Sequence, residues 1–213
     1  KKAVDIGVVL IFMIVTGFGI GISLQENSSY NLLARNRASG NFNGLELSRG
    51  CQYNAVYDNN ASDNKHGIRL NENRNNLLFG NNFFRNDINA YENVSLNIWN
   101  TTFGNYYSDY RGRDLDGDGI GDDPYALPGP ESRSFDSLPL ISPFIEGSSD
   151  YSSIMDAVKK YALYPPAEIS LPTTVVSDGV VVISRKAASS PPKWSEGSSF
   201  DASAPPFQKE IEL

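Results

Sequence analysis

Five aspartates fall within ten residues, at Asp114, Asp116, Asp118, Asp122 and Asp123. The first three stand at positions 1, 3 and 5 of a loop in which Gly119 takes position 6 and Asp122 position 9. Alternate carboxylate oxygens can wrap a hard cation that takes roughly 6–8 oxygen ligands, and a glycine at position 6 allows the sharp turn. The ion this pattern implies is Ca2+. Its expected ligands are Asp114, Asp116, Asp118, the Ile120 backbone carbonyl, and late oxygens from Asp122 or Asp123. The back half of the loop departs from the full twelve-residue pattern, because position 12 is Tyr125 and no bidentate Glu closes the shell. A solvated acidic turn without metal is the alternative, but carboxylates this close repel one another unless neutralised. Residues 108–136 carry a net charge of −5 within a chain total of −7. That acidity argues against a nucleic-acid surface, which needs a basic patch.

A loop of this kind needs a scaffold, and a repeat supplies one. Gly21-Ile22-Ser23-Leu24 recurs as Gly44-Leu45-Glu46-Leu47 and as Gly67-Ile68-Arg69-Leu70, at a spacing of 23 residues. Leu33, Val56 and Phe79 keep step, followed by Asn36, Asn59 and Asn82 and then Ala38, Ala61 and Phe84. Self-similarity at such a period means a unit that cannot bury its apolar face alone and stacks on its neighbours. The apolar residues alternate at period two, and no copy holds a helical i, i+3, i+4, i+7 stripe. The expectation is a short parallel β-helix of 23-residue coils, with like residues stacked about 4.8 Å apart. All 21 asparagines lie between Asn27 and Asn105. Asn tolerates left-handed corners, and its amide can donate to one neighbour and accept from another, so Asn36, Asn59 and Asn82 are expected to form a ladder.

These repeats resemble those of the NosD-type periplasmic copper-binding family of right-handed parallel β-helices, a group shared with carbohydrate-binding and sugar-hydrolase β-helices. The likeness continues through Asn97-Ile98-Trp99-Asn100, Gly104-Asn105-Tyr106-Tyr107-Ser108-Asp109-Tyr110, the acidic loop, and Asp136-Ser137-Leu138-Pro139-Leu140. That order is similar to the closing segment of archaeal surface proteins of the family, with Tyr107 where the family usually carries Trp. The loop itself is closer to thrombospondin type 3 or dockerin calcium loops than to an EF-hand. The resemblance implies a copper role, but soft copper sites want Cys, His and Met. Cys51 and His66 fall in different columns, Cys51 with Ser28 and Arg74 and His66 with Asn43.

The ends of the chain extend this scaffold. Lys1 and Lys2 precede an apolar run from Ile6 to Ile22, the lower edge of a membrane span. The run reads as an apolar helix serving as anchor or signal, or as a first buried coil, since Leu10 and Val15 fall one period before Leu33 and Ala38. Residues 1–20 are thus an anchor or signal segment, 21–103 the β-helix, 104–144 an aromatic and acidic cap, and 145–213 a tail. In the cap, Trp99, Phe103, Tyr106, Tyr107 and Tyr110 are expected to fold over the open end of the solenoid. In the tail, Ser153-Ile154-Met155-Asp156 opens a short amphipathic helix. A hairpin follows about Asp178-Gly179, and the stretch beyond Lys186 is rich in Ser and Pro. The fold class is all-β, with a membrane contact through the N-terminal segment.

Three functions fit these residues. A polysaccharide lyase or hydrolase would use carboxylates on a strand face, where Glu46, Arg69 and Glu92 form one expected column and Glu26, Arg49 and Glu72 another. An accessory protein for copper-enzyme maturation is what the family resemblance suggests. A non-catalytic, exported cell-surface module that binds a glycan or another surface protein, stabilised by calcium, is the expected function. Exposed rings such as Tyr53, Tyr57 and Tyr91 would serve it.

Overall fold

The computed structural model describes residues 9–11 and 13–145, together with the backbone of strands 175–177 and 180–184. The chain winds through about four parallel coils, each contributing one strand to each of three sheets. The first coil is β1 (Val9–Ile11), β2 (Ile14–Thr16) and β3 (Ile20–Gln25). The second is β4 (Leu32–Ala34), β5 (Arg37–Ser39) and β6 (Asn43–Ser48). The third is β7 (Ala55–Tyr57), β8 (Asn60–Ser62) and β9 (His66–Asn71), and the fourth β10 (Arg74–Phe79), β11 (Asn82–Phe84) and β12 (Ile88–Asn93). Strands β13 (Leu96–Ile98) and β14 (Tyr106–Tyr107) begin a further turn. The first sheet runs β1-β4-β7-β10-β13, the second β2-β5-β8-β11-β14, and the third includes β3-β6-β9-β12.

Buried aliphatic columns hold the coils together. Ile22, Leu45, Ile68 and Ala90 share one register in the third sheet, and Leu33, Val56 and Leu78 one in the first. In the second sheet Val15, Ala38, Ala61, Phe83 and Tyr107 follow one another, so the column widens toward the C-terminal end. There Trp99, Tyr107 and Phe83 are the largest fully buried side chains.

The apolar N-terminal run is not a membrane helix in its described part. Val9–Ile11 and Ile14–Thr16 are strands in register with β4 and β5, and no described helix is long and apolar enough to cross a membrane. The physical reason is that Leu10 is in backbone register with Leu33 and Val15 with Ala38, where Val15 is buried in the core. Met13 fits the ladder position without an amide of its own, because its backbone N–H donates to Asn36 Oδ1 at 3.0 Å.

The period also changes. Coils one and two repeat at 23 residues, but the next rung lies 22 residues on, as Asn59 to Asn81 shows. The missing residue sits at one corner. Glu26 and Asn27 are both left-handed there, as are Arg49 and Gly50, whereas the third coil has Glu72 alone. From that corner on every alignment moves by one: Asn81 takes the rung expected of Asn82, Leu78 the place of Phe79, Phe83 that of Phe84, and Asn73 replaces Arg74 under Cys51. A one-residue slip reverses which face a strand residue occupies. Glu92 therefore pairs in register with Leu70 and is fully buried, while Tyr91 takes the outward place beside Arg69.

The cap carries β15 (Tyr125–Ala126) and β16 (Phe135–Asp136), an antiparallel pair. The tail hairpin is present as β17 (Val175–Ser177) and β18 (Val180–Ser184), with β18 parallel to β3. The expected tail helix and the Ser- and Pro-rich end lie outside the described residues. Of the aromatic cluster, Trp99 and Tyr107 enter the core and Tyr110 packs on it, while Phe103 stacks instead on Phe144 at 5.3 Å.

Candidate functional site

The acidic loop is built as its spacing requires. The Asp114 carboxylate accepts from Gly117 N at 2.7 Å and Gly119 N at 3.0 Å, and Asp118 accepts from Ile120 N at 2.8 Å. Gly117 and Gly119 both have positive φ, at 78° and 89°, so the turn demands glycine at each. Asp114, Asp116 and Asp118 each bring one carboxylate oxygen to within 4.8 Å of the others. Asp122 belongs to the same loop but accepts from Leu115 N at 2.8 Å, and neither it nor Asp123 joins that group of three. Desolvation works against ionisation of Asp114, but the Gly119 and Gly117 amides outweigh it and hold the carboxyl below its ordinary value. These are hard oxygen donors of the type calcium takes, and three carboxylates fit half of its shell.

The loop is tied to the end of the solenoid. Gly121 N donates to Pro139 O at 2.7 Å and Ile141 N to Gly119 O at 3.2 Å, while Leu140 N donates to Asn105 O at 2.9 Å. Tyr125 stacks on Tyr107 with ring centroids 3.8 Å apart, and its hydroxyl donates to Asp109.

At the junction of cap and coils lie residues whose roles the sequence did not disclose. Three asparagine ladders run the length of the solenoid: Asn36-Asn59-Asn81-Asn105, Asn31-Asn54-Asn76-Asn97 and Asn41-Asn64-Asn86. In each, one Nδ2 donates to the next Oδ1, which also accepts a backbone N–H, so every ladder needs an acceptor at its C-terminal end. Asp136 Oδ2 fills that place for the first, accepting Asn105 N at 2.7 Å and Nδ2 at 3.2 Å. Glu92 accepts Asn97 Nδ2 at 2.6 Å, and Asp109 receives the third ladder through Asn89 at 2.7 Å. Burial raises Glu92, and raises Asp136 to about 6 against the donors that favour its charge. The signal in the sequence was the slip itself: counted at 22 residues, Glu92 falls on an inward column.

The outward face of the third sheet holds the other polar network. Glu46 is 6% exposed, and its carboxylate accepts Asn43 Nδ2 at 2.6 Å, with Arg69 Nη1 at 3.7 Å. Glu26 pairs with Arg49 at 2.6 Å. Of the expected exposed rings, Tyr91 stands half-buried on this face, Tyr53 stacks on Tyr30 at 5.3 Å, and Tyr57 is buried against Phe79. Cys51 is buried, its thiol pushed up to about 11 by desolvation, and donates to Ser48 O.

Residues 14–112 match the family described as periplasmic copper-binding protein (NosD). The matched span opens at β2 and stops short of Asp114, so it takes in the coils and not the acidic loop. Comparison with curated proteins and with solved structures gives no match.

Proposed function

We propose that this NosD-type β-helix repeat protein is an exported, non-catalytic surface module whose cap holds calcium and whose exterior binds carbohydrate, with another surface protein as the alternative partner. The observation that carries the reading is the convergence of Asp114, Asp116 and Asp118 on one point of a loop that is hydrogen-bonded to the terminating segment of the solenoid. Calcium there neutralises the carboxylates and fixes the loop, and with it the strand that ends the asparagine ladders. Asp122 or Asp123 and the Ile120 carbonyl would complete the shell. Extracellular calcium is millimolar, so an affinity of only ~10⁻⁴–10⁻³ M fills such a site. The periplasmic description of the matched family supports export.

Support for a binding rather than a catalytic role comes from the carboxylates of the outer face. Glu46 is spent on Asn43 and Arg69, Glu26 on Arg49, and Glu92 lies inside the solenoid. A copper role gains little from the buried, protonated Cys51.

Two measurements test the proposal on the full chain. Thermal melts with millimolar calcium and with EDTA should differ by several degrees, and Asp116→Ala with Asp118→Ala should remove the difference. Identical melts with no calcium bound would refute the metal site. A carbohydrate panel scored for binding and for released reducing or unsaturated sugar should give binding without release. Turnover lost on Glu46→Gln would make it an enzyme instead.

A further inference from the structure

The outward side of the third sheet carries three neighbouring rings, one from each of three successive coils, that step obliquely across its registers. Phe42, at the corner before β6, is 52% exposed, and its ring centroid lies 5.8 Å from that of His66, which lies 5.6 Å from Tyr91. Cations brace the outer two: Lys65 Nζ sits 4.7 Å from the Phe42 centroid and the Arg69 guanidinium 5.8 Å from that of Tyr91.

The middle ring has a defined tautomer. The Glu46 carboxylate accepts from Asn43, so the amide nitrogen of Asn43 faces Glu46 and its oxygen faces His66. His66 Nδ1, 2.8 Å from that oxygen, must then carry the proton. Nε2 is left as an acceptor. Burial, followed by Arg69 and Lys65, lowers the His66 pKa, against Asp87 and Glu46 on the other side.

A ligand on this face meets side chains alone, because the backbone amides are spent in the sheet; an added strand has no edge to pair with here. Phe42 and Tyr91 each offer the ring face that its cation does not cover, and His66, tilted 67° to Phe42 and 59° to Tyr91, offers Nε2 as an acceptor beside the Lys65 ammonium donor. Lys65 and Arg69 are matched by Asp87 and Glu46, so the face carries no net charge to select an anion. Alternating apolar faces and paired hydroxyls, repeated at about the spacing of one coil, are the surface of an extended neutral sugar chain.

We propose that a linear, neutral glycan lies obliquely across the third sheet, one sugar per coil, stacked on Phe42 and Tyr91 and hydrogen-bonded to His66 Nε2 and Lys65. This rests on the carbohydrate reading above and locates its site. Glu46 is a positioning residue, holding the His66 tautomer through Asn43.

The test is titration calorimetry on the full chain with a neutral β-1,4-linked glucose hexamer and with a galacturonate hexamer. The neutral hexamer should bind. Phe42→Ala and Tyr91→Ala should each weaken it about tenfold or more, as loss of a stacked ring does. Phe135→Ala, at an exposed ring on β16 of the cap, should leave it unchanged, and melting curves should show all three variants folded. Binding should also fall as pH drops through the His66 titration, where Nε2 loses its lone pair. Hexamer binding that survives both ring variants would overturn this site and leave the carbohydrate reading standing, and tighter binding of the galacturonate would overturn the neutral assignment. A wild-type chain that binds neither would sink both this inference and the carbohydrate reading.

Discussion

Replacing Asp136 by alanine removes the acceptor on which one asparagine ladder ends, and the structure lets the cost be worked bond by bond. Its two oxygens accept from Asn105 N, Asn105 Nδ2, Tyr107 Oη and Leu138 N at 2.7, 3.2, 3.2 and 3.1 Å. Asn105, Tyr107 and Asp136 are all buried, so water cannot replace it. Orphaning a buried donor costs about 1–3 kcal/mol. With two or three donors stranded, Asp136→Ala should cost roughly 3–6 kcal/mol, a melting shift on the order of 10 °C at about 2–4 °C per kcal/mol. Asp136→Asn behaves differently. It keeps an oxygen under Asn105 and sheds the buried charge, and loses the bond from Leu138; these offset to within about 1–2 kcal/mol.

The pH dependence separates both variants from the wild type. Because burial raises Asp136 to about 6, the folded chain holds this proton more tightly than the unfolded one. Its stabilising contribution is then fully present below the ordinary carboxylate value and is lost as pH rises through about 6, a slope on the order of 3 kcal/mol in all. Either substitution removes the titrating group and should flatten that slope. Urea titrations followed by circular dichroism, in EDTA to remove any contribution from the acidic loop, measure both effects. Equal losses for Ala and Asn, or an Ala variant within about 1 kcal/mol of wild type, would refute the ladder-end reasoning.

Two further outcomes follow from single residues. Cys51, with a buried thiol raised to about 11, should resist a thiol reagent at neutral pH and label only on unfolding; labelling of the folded chain at the rate of a free thiol would contradict its place in the core. Gly50 has φ of 80°, and a Cβ there would run into Asn27 Oδ1. Gly50→Ala should therefore cost about 1 kcal/mol or more in urea titration, whereas a silent variant would mean the corner relaxes freely.

The period, the sheet class and the aliphatic columns were legible because stacking repeats the same demand on every coil. Ile22, Leu45 and Ile68 sit where alternation puts them. What escaped was local. The ungapped alignment hid a corner that needs two left-handed residues in two coils and one in the third, and nothing in residue types marks that Asn73 rather than Arg74 lies under Cys51. The apolar run to Ile22 satisfies membrane and buried coil equally by composition, and only the pairing of Val9–Ile11 with β4 and Ile14–Thr16 with β5 separates them. In the acidic loop, spacing identified the three carboxylates that converge, but not that Asp122 turns to Leu115.

The ladders also give the solenoid a direction. Each rung donates toward the C-terminal end, so the N-terminal end presents oxygens, which backbone N–H groups of any residue can satisfy: Met13 and Phe18 do this for Asn36 and Asn41. The opposite end presents N–H groups, and acceptors must close it. Three ladders reach three carboxylates, on Asp136, Glu92 and Asp109, supplied by the last coil and the cap. Asp136 comes from the cap's β16, Asp109 follows β14, and Glu92 comes from the final full coil, whose shortened corner turned it inward. A coil could thus begin with residues as plain as Met13, whereas it needs acceptors at the foot of each column, and here carboxylates share that place with the Trp99 carbonyl and the Asn89 amide oxygen. Removing the cap would expose these donors along with the aromatic floor, so the acidic segment is part of what makes the coils foldable, and metal in its loop would stabilise the end where the hydrogen-bond network has least tolerance.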